Sequence, residues 1–312
     1  MGGGLGWLAG KYGLTCDNLL SVDLITAEGA MVTANAAENP ELFWGLRGGG
    51  GNFGIVTSFE YRLHGVGPML AGPVLYPFAR AKETLALYRD FATSTPDEVN
   101  TVAALMHSPD GDPLAAIVVC YNGSPEAGEK VLRPIRSFGP PLADEVAQIP
   151  YRKVQTLLDA AFVRGRRYYF KSSFTRSISN EAIAVLMEYF ANAPSPLSMI
   201  YFQQLGNAAN RIGATETAFS HREALCEWGC DAVWLDPAED AANIRWSREV
   251  AEAMRPFTSG SDYVNHIGLE TEEGADRIKA AFGTNYDRLV DLKNRYDPTN
   301  FFRHNQNIRP TV

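Results

Sequence analysis

The chain has 312 residues with 46% hydrophobic content, enough apolar material for one large core or two smaller ones. Its formal net charge of −8 and pI near 5.2 argue against nucleic acid or an anionic membrane as partner, because both reward clustered Lys and Arg. A small molecule is the partner this composition allows. No run approaches the roughly 18 apolar residues of a membrane span. The N-terminus lacks the basic start and apolar stretch of a signal peptide, which makes the cytoplasm the default location.

The chain opens MGGGLGWLAGKYGLTCDNLL. Glycine at that density belongs where backbone approaches something closely or takes positive φ, since each one costs conformational entropy on folding. Gly4, Gly6 and Ala9 fit the dinucleotide pattern G-x-G-x-x-A, with Asp23 downstream, but no strand precedes them and Gly10 and Gly13 interrupt a following helix. Next, ENPELFWGLR predicts a short helix, then comes the glycine run RGGGGNFG, and IVTSFEYRL predicts a strand from its β-branched and aromatic residues. Helix, glycine loop, strand is the reverse of the dinucleotide order. Two glycine loops so close in sequence point to one extended ligand met by backbone N–H groups, with tight turns alone as the alternative.

HGVGPMLAGP reads as a domain boundary. A helix follows from Phe78, with Ala81, Leu85, Tyr88 and Ala92 at helical spacing, then strands TVAALMHS and LAAIVVCY about the turn PDGDP, and a helix from Pro125 to Ser137. YRKVQTLLDAAF reads as helix, RRYYFKSSFT as strand and NEAIAVLMEYFANA as helix. Strands SMIYFQQLG and CEWGCDAVWL flank NAANRIGATETAFSHREA, and Asp236-Pro237-Ala238-Glu239 starts another helix. In CEWGCDAVWL the alternation of Cys226, Trp228, Cys230, Ala232 and Trp234 predicts a half-buried strand, and with His221 nearby it supplies too few ligands for zinc. SDYVNHIG predicts a strand, followed by a helix that Asp297-Pro298 stops, and by the polar tail FFRHNQNI. The fold class is α+β, an antiparallel sheet with helices on one side.

Three collinear stretches, GGGLGWLAGKYGLTCDNLLSVDLITAEG, ENPELFWGLRGGGGNFGIVTSFEYRL and YVNHIG with NYDRLVDLKNRYDPTNFFRHNQNI, resemble the FAD-linked oxidases of the vanillyl-alcohol-oxidase superfamily, in the berberine-bridge-enzyme-like branch. The middle, through YRKVQTLLDA, YYFKSSF and TAFSHREA, resembles the substrate domain of that family more loosely. The resemblance implies a PCMH-type FAD-binding domain, incomplete here, into which a substrate domain is inserted. On this reading residues 1–65 and 266–312 form the FAD-binding part and residues 66–265 the substrate domain. Members carry an upstream subdomain with a phosphate-binding loop and a histidine that attaches the flavin, so this chain reads as beginning inside a longer frame.

The same resemblance implies FAD as cofactor and a small-molecule substrate, an alcohol, sugar or amine oxidised by hydride transfer to the flavin. Gly2, Gly3, Gly4, Gly6 and Asp17 of the opening run, and Gly49, Gly50, Asn52, Gly54 and Val56 of the second run, are expected to line the cofactor with Asn265, Asn305 and Asn307. Tyr263 falls where the family often places a catalytic tyrosine, with Asn265 on the same strand face, while Tyr201 and Gln203 form a substrate-facing pair. Cys16 lies in a variable part of its motif and is not assigned a flavin linkage. The alternative to an oxidase is a remnant that binds FAD weakly and does no chemistry.

Overall fold

The computed structural model describes residues 1–268 and 274–312; residues 269–273, inside the expected C-terminal segment, lie outside the described residues. The chain folds as two compact units, one of Met1–Gly65, Asn207–Glu223 and Ser261–Val312, the other of Val66–Gly206 and Ala224–Gly260. The expected boundary near residue 65 is where the chain changes unit, but the expected single block 66–265 is not kept. Asn207–Glu223 and Ser261 onward return to the first unit.

In the first unit the glycine-rich opening makes a single helical turn, Ala9–Tyr12, that ends at Gly13. Strands β1 (Leu19–Ile25), β2 (Met31–Asn35) and β3 (Ile55–Tyr61) then form an antiparallel sheet in the order β2-β1-β3. Between β2 and β3 lies the helix Pro40–Leu46, begun by a proline at its first turn, where a missing N–H is harmless. The helix Tyr286–Tyr296 packs on it, with Arg288 paired to Glu41 at 2.7 Å and stacked over the Trp44 ring. Leu14, Val22, Leu24, Leu42, Leu46, Phe53 and Leu289 make the buried centre. At the sheet edge β3 keeps Ile55 and Phe59 exposed.

The second unit is built on an antiparallel sheet of β4 (Met69–Pro77), β5 (Val99–His107), β6 (Pro113–Tyr121), β7 (Ala143–Asp144), β8 (Ala147–Ile149), β9 (Arg167–Thr175), β10 (Met199–Gln204) and β11 (Cys226–Trp234). Their order is β7-β4-β6-β5-β10-β11-β9, with β8 beside β4. One face carries Val74, Ala103, Ile117, Phe202 and Trp228 into a core shared with Leu85 and Tyr88 of the helix Ala81–Ala92, Leu186 of Asn180–Ala191 and Val250 of Asp240–Met254. The hairpin of β5 and β6 and the Asp236 cap, whose carboxylate accepts the Ala238 N–H, form as their sequence patterns imply.

Three stretches differ from their sequence reading. The segment 64–73, read as a Gly/Pro boundary, does hold the change of unit after Gly65, but its second half is the start of β4, whose Pro73 lies opposite Val118. Pairing on both sides overrides the local turn signal there. YRKVQTLLDAAF is helical only at Tyr151–Val154, with a 3-10 turn at Asp159–Ala161, and leaves Leu158 and Phe162 exposed. Without a surface to receive its apolar stripe, helical periodicity alone does not hold a long helix. In β11 all nine residues are buried, so the strand is sealed on both faces rather than half-buried.

Candidate functional site

The two glycine runs lie side by side in the first unit, the Gly50 N–H donating to the Met1 carbonyl at 3.3 Å. The C-terminal tail completes this floor. Asn305 donates from Nδ2 to the Gly51 carbonyl at 2.8 Å, and the buried Asn52 donates to the carbonyls of Gly49 (2.9 Å) and Gln306 (3.3 Å) while accepting the Ile308 N–H (3.0 Å). Beneath it the fully buried Lys293 ammonium donates to Asp297, to the Asn52 carbonyl and to the Phe302 carbonyl. Burial pushes the Lys293 pKa down, although Asp297 draws it up. Burial alone would raise Asp297, yet hydrogen bonds from Lys293 and the Phe301 and Phe302 N–H groups hold its carboxyl below the usual range.

Tyr263 joins the same floor. It precedes a 3-10 turn, Val264–His266, rather than sitting in a strand, so its link with Asn265 comes from the turn and not from a shared strand face. The Tyr263 oxygen accepts the Gly4 N–H at 3.1 Å, the Leu5 N–H at 3.4 Å and the Asn265 Nδ2 donor at 2.6 Å. The ring is buried. Gly4 has φ of +87° and faces Thr15 so closely that a Cβ would lie 2.5 Å from it, which only glycine tolerates. Gly2 and Gly3 abut Asn265 and the Phe219 ring.

Phe219 and Arg222 were not singled out from the sequence, and both organise this floor. Phe219 packs against Gly3, Gly48 and the Tyr263 ring, its N–H donating to the Arg47 carbonyl. Arg222 is bound bidentately to Asp17 and donates further to Ala209, Thr217 and Phe219. The only cue was the stretch TAFSHREA, and no local pattern tells where its side chains go. His221, between them, places Nε2 2.7 Å from the Ala281 carbonyl and 3.1 Å from Ser261 Oγ. Burial holds its imidazole below the usual range, the Ala281 carbonyl opposing this only partly.

Several expected cofactor contacts are internal instead. Both Asp17 carboxylate oxygens are committed to Arg222, and one also accepts the Leu14 N–H, so Asp17 holds the loop. The Asn52 side chain is spent on the tail. Gly49 and Gly54 are packing positions, where a Cβ would meet the Gly45 and Ile25 carbonyls at 2.5 and 2.7 Å, and Val56 lies within β3 opposite Leu24. Gly6, Gly50 and Gly51 are different, since among the described residues nothing but their own chain neighbours lies nearer than 3.8 Å to a Cβ built at any of them. Cys16 is buried and its thiol is pushed up to about 12 by that burial and by Asp17, which leaves it unreactive.

In the second unit Tyr201 and Gln203 alternate with the core residues Ile200 and Phe202, so both point to the sheet face turned away from the helices. Tyr201 lies opposite Gly229 and Gln203 opposite Glu227. Glu227 and Asp231 on β11 share that face and are buried, a pair of acids the alternation of cysteine and tryptophan had hidden.

The family model described as "Berberine and berberine like" matches residues 262–309. An FAD-linked oxidoreductase of Dictyostelium discoideum is 32% identical over 99% of this chain and 67% of its own length. The solved 6-hydroxy-D-nicotine oxidase of Arthrobacter nicotinovorans is 26% identical, with a TM-score of 0.83 over 98% of this chain and 69% of that one. A berberine-bridge-enzyme-like protein of Arabidopsis thaliana has the same fold, with a TM-score of 0.84 at 23% identity over 100% of this chain and 71% of that one. The cofactor of such proteins is FAD. The first unit has room for it at Gly6, Gly50 and Gly51, with Asn305 3.8 Å from a Cβ built at Gly51, and the buried Oδ1 atoms of Asn305 and Asn307 have no hydrogen-bond partner among the described residues.

Proposed function

Because the chain belongs to the berberine-bridge-enzyme-like FAD-linked oxidoreductases, we propose that it oxidises a small molecule at an alcohol, sugar or amine carbon. When bound, FAD supplies the hydride acceptor and passes the electrons to oxygen or another acceptor. The observation that carries the reading is the open space at Gly6, Gly50 and Gly51, with Asn305 beside Gly51, which leaves glycine backbone free to lie against a flat ligand.

In this reading the backbone of Gly2–Gly6 and Gly50–Gly51 would hold the cofactor, with Asn265, Asn305 and Asn307. A carbon that gives up hydride must also release a proton from its attached O–H or N–H. We assign that proton to the Tyr263 oxygen acting as the phenolate, an anion that the Gly4 N–H and the Asn265 Nδ2 donor would stabilise and that becomes the neutral phenol once it has taken the proton. On the second unit, Tyr201 and Gln203 offer a phenol and an amide to hydrogen-bond a substrate at their sheet face. Titrating the purified chain with FAD and following flavin absorbance tests the first half. Anaerobic bleaching of the bound flavin by alcohols, aldoses and secondary amines tests the second. Protein that leaves free FAD fluorescence unquenched, or bound flavin that none of these classes bleaches, would sink the proposal.

A further inference from the structure

Gly229 sits in the middle of β11, where glycine weakens a strand. Its backbone is not among those with positive φ, so no turn requires glycine there. What it provides is room. A Cβ at Gly229 would lie 2.3 Å from Cζ, 2.4 Å from Oη and 2.5 Å from Cε1 of Tyr201. These are the distal atoms of the ring, so the phenol lies sideways from β10 across β11 instead of standing away from the sheet.

Beyond Gly229 in the same cross-strand row is Ser172 on β9. Ser172 is 4% exposed, and its Oγ has no hydrogen-bond partner among the described residues. The row Tyr201, Gly229, Ser172 therefore runs from a phenol, through a gap, to a sealed hydroxyl. On the other side Tyr201 pairs with Ala104 of β5, also small, but the ring leans toward the glycine.

We propose that Gly229 is a positioning residue for Tyr201: its missing side chain fixes the phenol flat over β11 with Oη directed toward β9, and so sets where the hydroxyl meets substrate. The last clause rests on the reading of this sheet face as the substrate side. Any side chain at 229 claims the volume the ring occupies and lifts the phenol off the strand, since packed interiors have little slack.

The test is Gly229→Ala, alone and combined with Tyr201→Ala, in protein labelled with 3-fluorotyrosine and with the Tyr201 resonance assigned by Tyr201→Phe. The Tyr201 fluorine signal is expected to move, and Tm to fall by about 3–10 °C. In the Tyr201→Ala background the added methyl is expected to leave Tm unchanged. If Gly229→Ala fails to fold, recovery of folding in the double variant makes the same point. An unmoved fluorine signal, or a Tm loss or folding failure that persists without the ring, overturns the inference. A functional arm follows flavin reduction by 6-hydroxy-D-nicotine and by a chitooligosaccharide, with the half-saturating concentration of an accepted probe expected to rise at least ~10-fold, the size of one lost or misplaced contact. A signal that moves while reduction stays unchanged keeps Gly229 as the positioner and removes the substrate-facing role from Tyr201, so the two readings fail separately.

Discussion

Arg222 closes two guanidinium nitrogens on the Asp17 carboxylate at 2.6 and 2.8 Å, joining residues 205 apart in sequence, with both side chains sealed from solvent. This pair latches Asn207–Glu223 onto the opening glycine loop. Arg222→Met strands the Asp17 charge, and breaking a buried pair from one side costs about 3–5 kcal/mol. Urea unfolding of the variant is expected to show a loss of that size, and a loss below about 1 kcal/mol would contradict the latch.

Tyr263→Phe keeps the ring but removes the acceptor of the Gly4 N–H. An unpaired buried donor costs about 1–3 kcal/mol, so the variant is expected to be measurably less stable as well as slower in flavin reduction, by about 10²- to 10⁴-fold if the oxygen takes the substrate proton. Stopped-flow reduction and thermal unfolding of the same preparation separate the two effects. Normal reduction in a destabilised variant would leave Tyr263 a loop anchor only.

Asn307 and Asn52 are expected to behave oppositely. Asn307→Ala removes a carbonyl that has no hydrogen-bond partner among the described residues, so if the cofactor pairs with that oxygen FAD affinity should fall about 2- to 10-fold, the equivalent of one hydrogen bond, with the apoprotein as stable as before. Asn52→Ala removes three internal hydrogen bonds and is expected to lower stability first. Fluorescence titration with FAD, paired with apoprotein melting curves, distinguishes them.

His221 gives the protein an acid sensitivity. Its folded pKa lies below the ordinary 6.5, so the unfolded chain binds the proton first as pH drops. The stabilisation is complete above about pH 6.5 and is lost as pH falls toward the depressed folded value, with a slope of at most ~1.4 kcal/mol per pH unit. Urea unfolding at intervals from pH 7.5 to 5 should show this slope, and His221→Gln should flatten it.

All four cysteines are buried, with Cys16 and Cys120 each pushed up to about 12 by burial. Iodoacetamide at pH 8 is therefore expected to label the native protein negligibly and the denatured protein fully, read by intact mass. Rapid native labelling of Cys16 would mean that the opening loop breathes.

Legibility followed the range of the interactions. The hairpin of β5 and β6 and the Asp236 cap rest on neighbours in sequence, and pattern reading finds such features. The glycine runs were legible as stretches of close or open backbone, which Gly4, Gly50 and Gly51 are, because glycine density has a compositional trace. The internal partners of Asp17 and Asn52 went unseen because Arg222 and the tail residues Gln306 and Ile308 are remote in sequence. The acids of β11 went unseen for another reason. Period-two reading marks the apolar face and treats the opposite one as solvent, which fails when both faces are sealed.

The tether between Gly4 and Tyr263 spans 259 residues, and the chain enters or leaves the first unit near residues 65, 207, 223 and 261. On the ribosome the hairpins of the second unit are complete long before Tyr263 emerges, while the opening loop has only its short-range partners such as Gly50. Closing so long a loop is entropically dear and kinetically late. Within residues 1–312 the first unit is thus completed after the second, although part of it is made earlier, which departs from the usual N-to-C order of folding during synthesis. A translation product that stops before Tyr263 ends with the Gly4 tether unmade and its second sheet already formed.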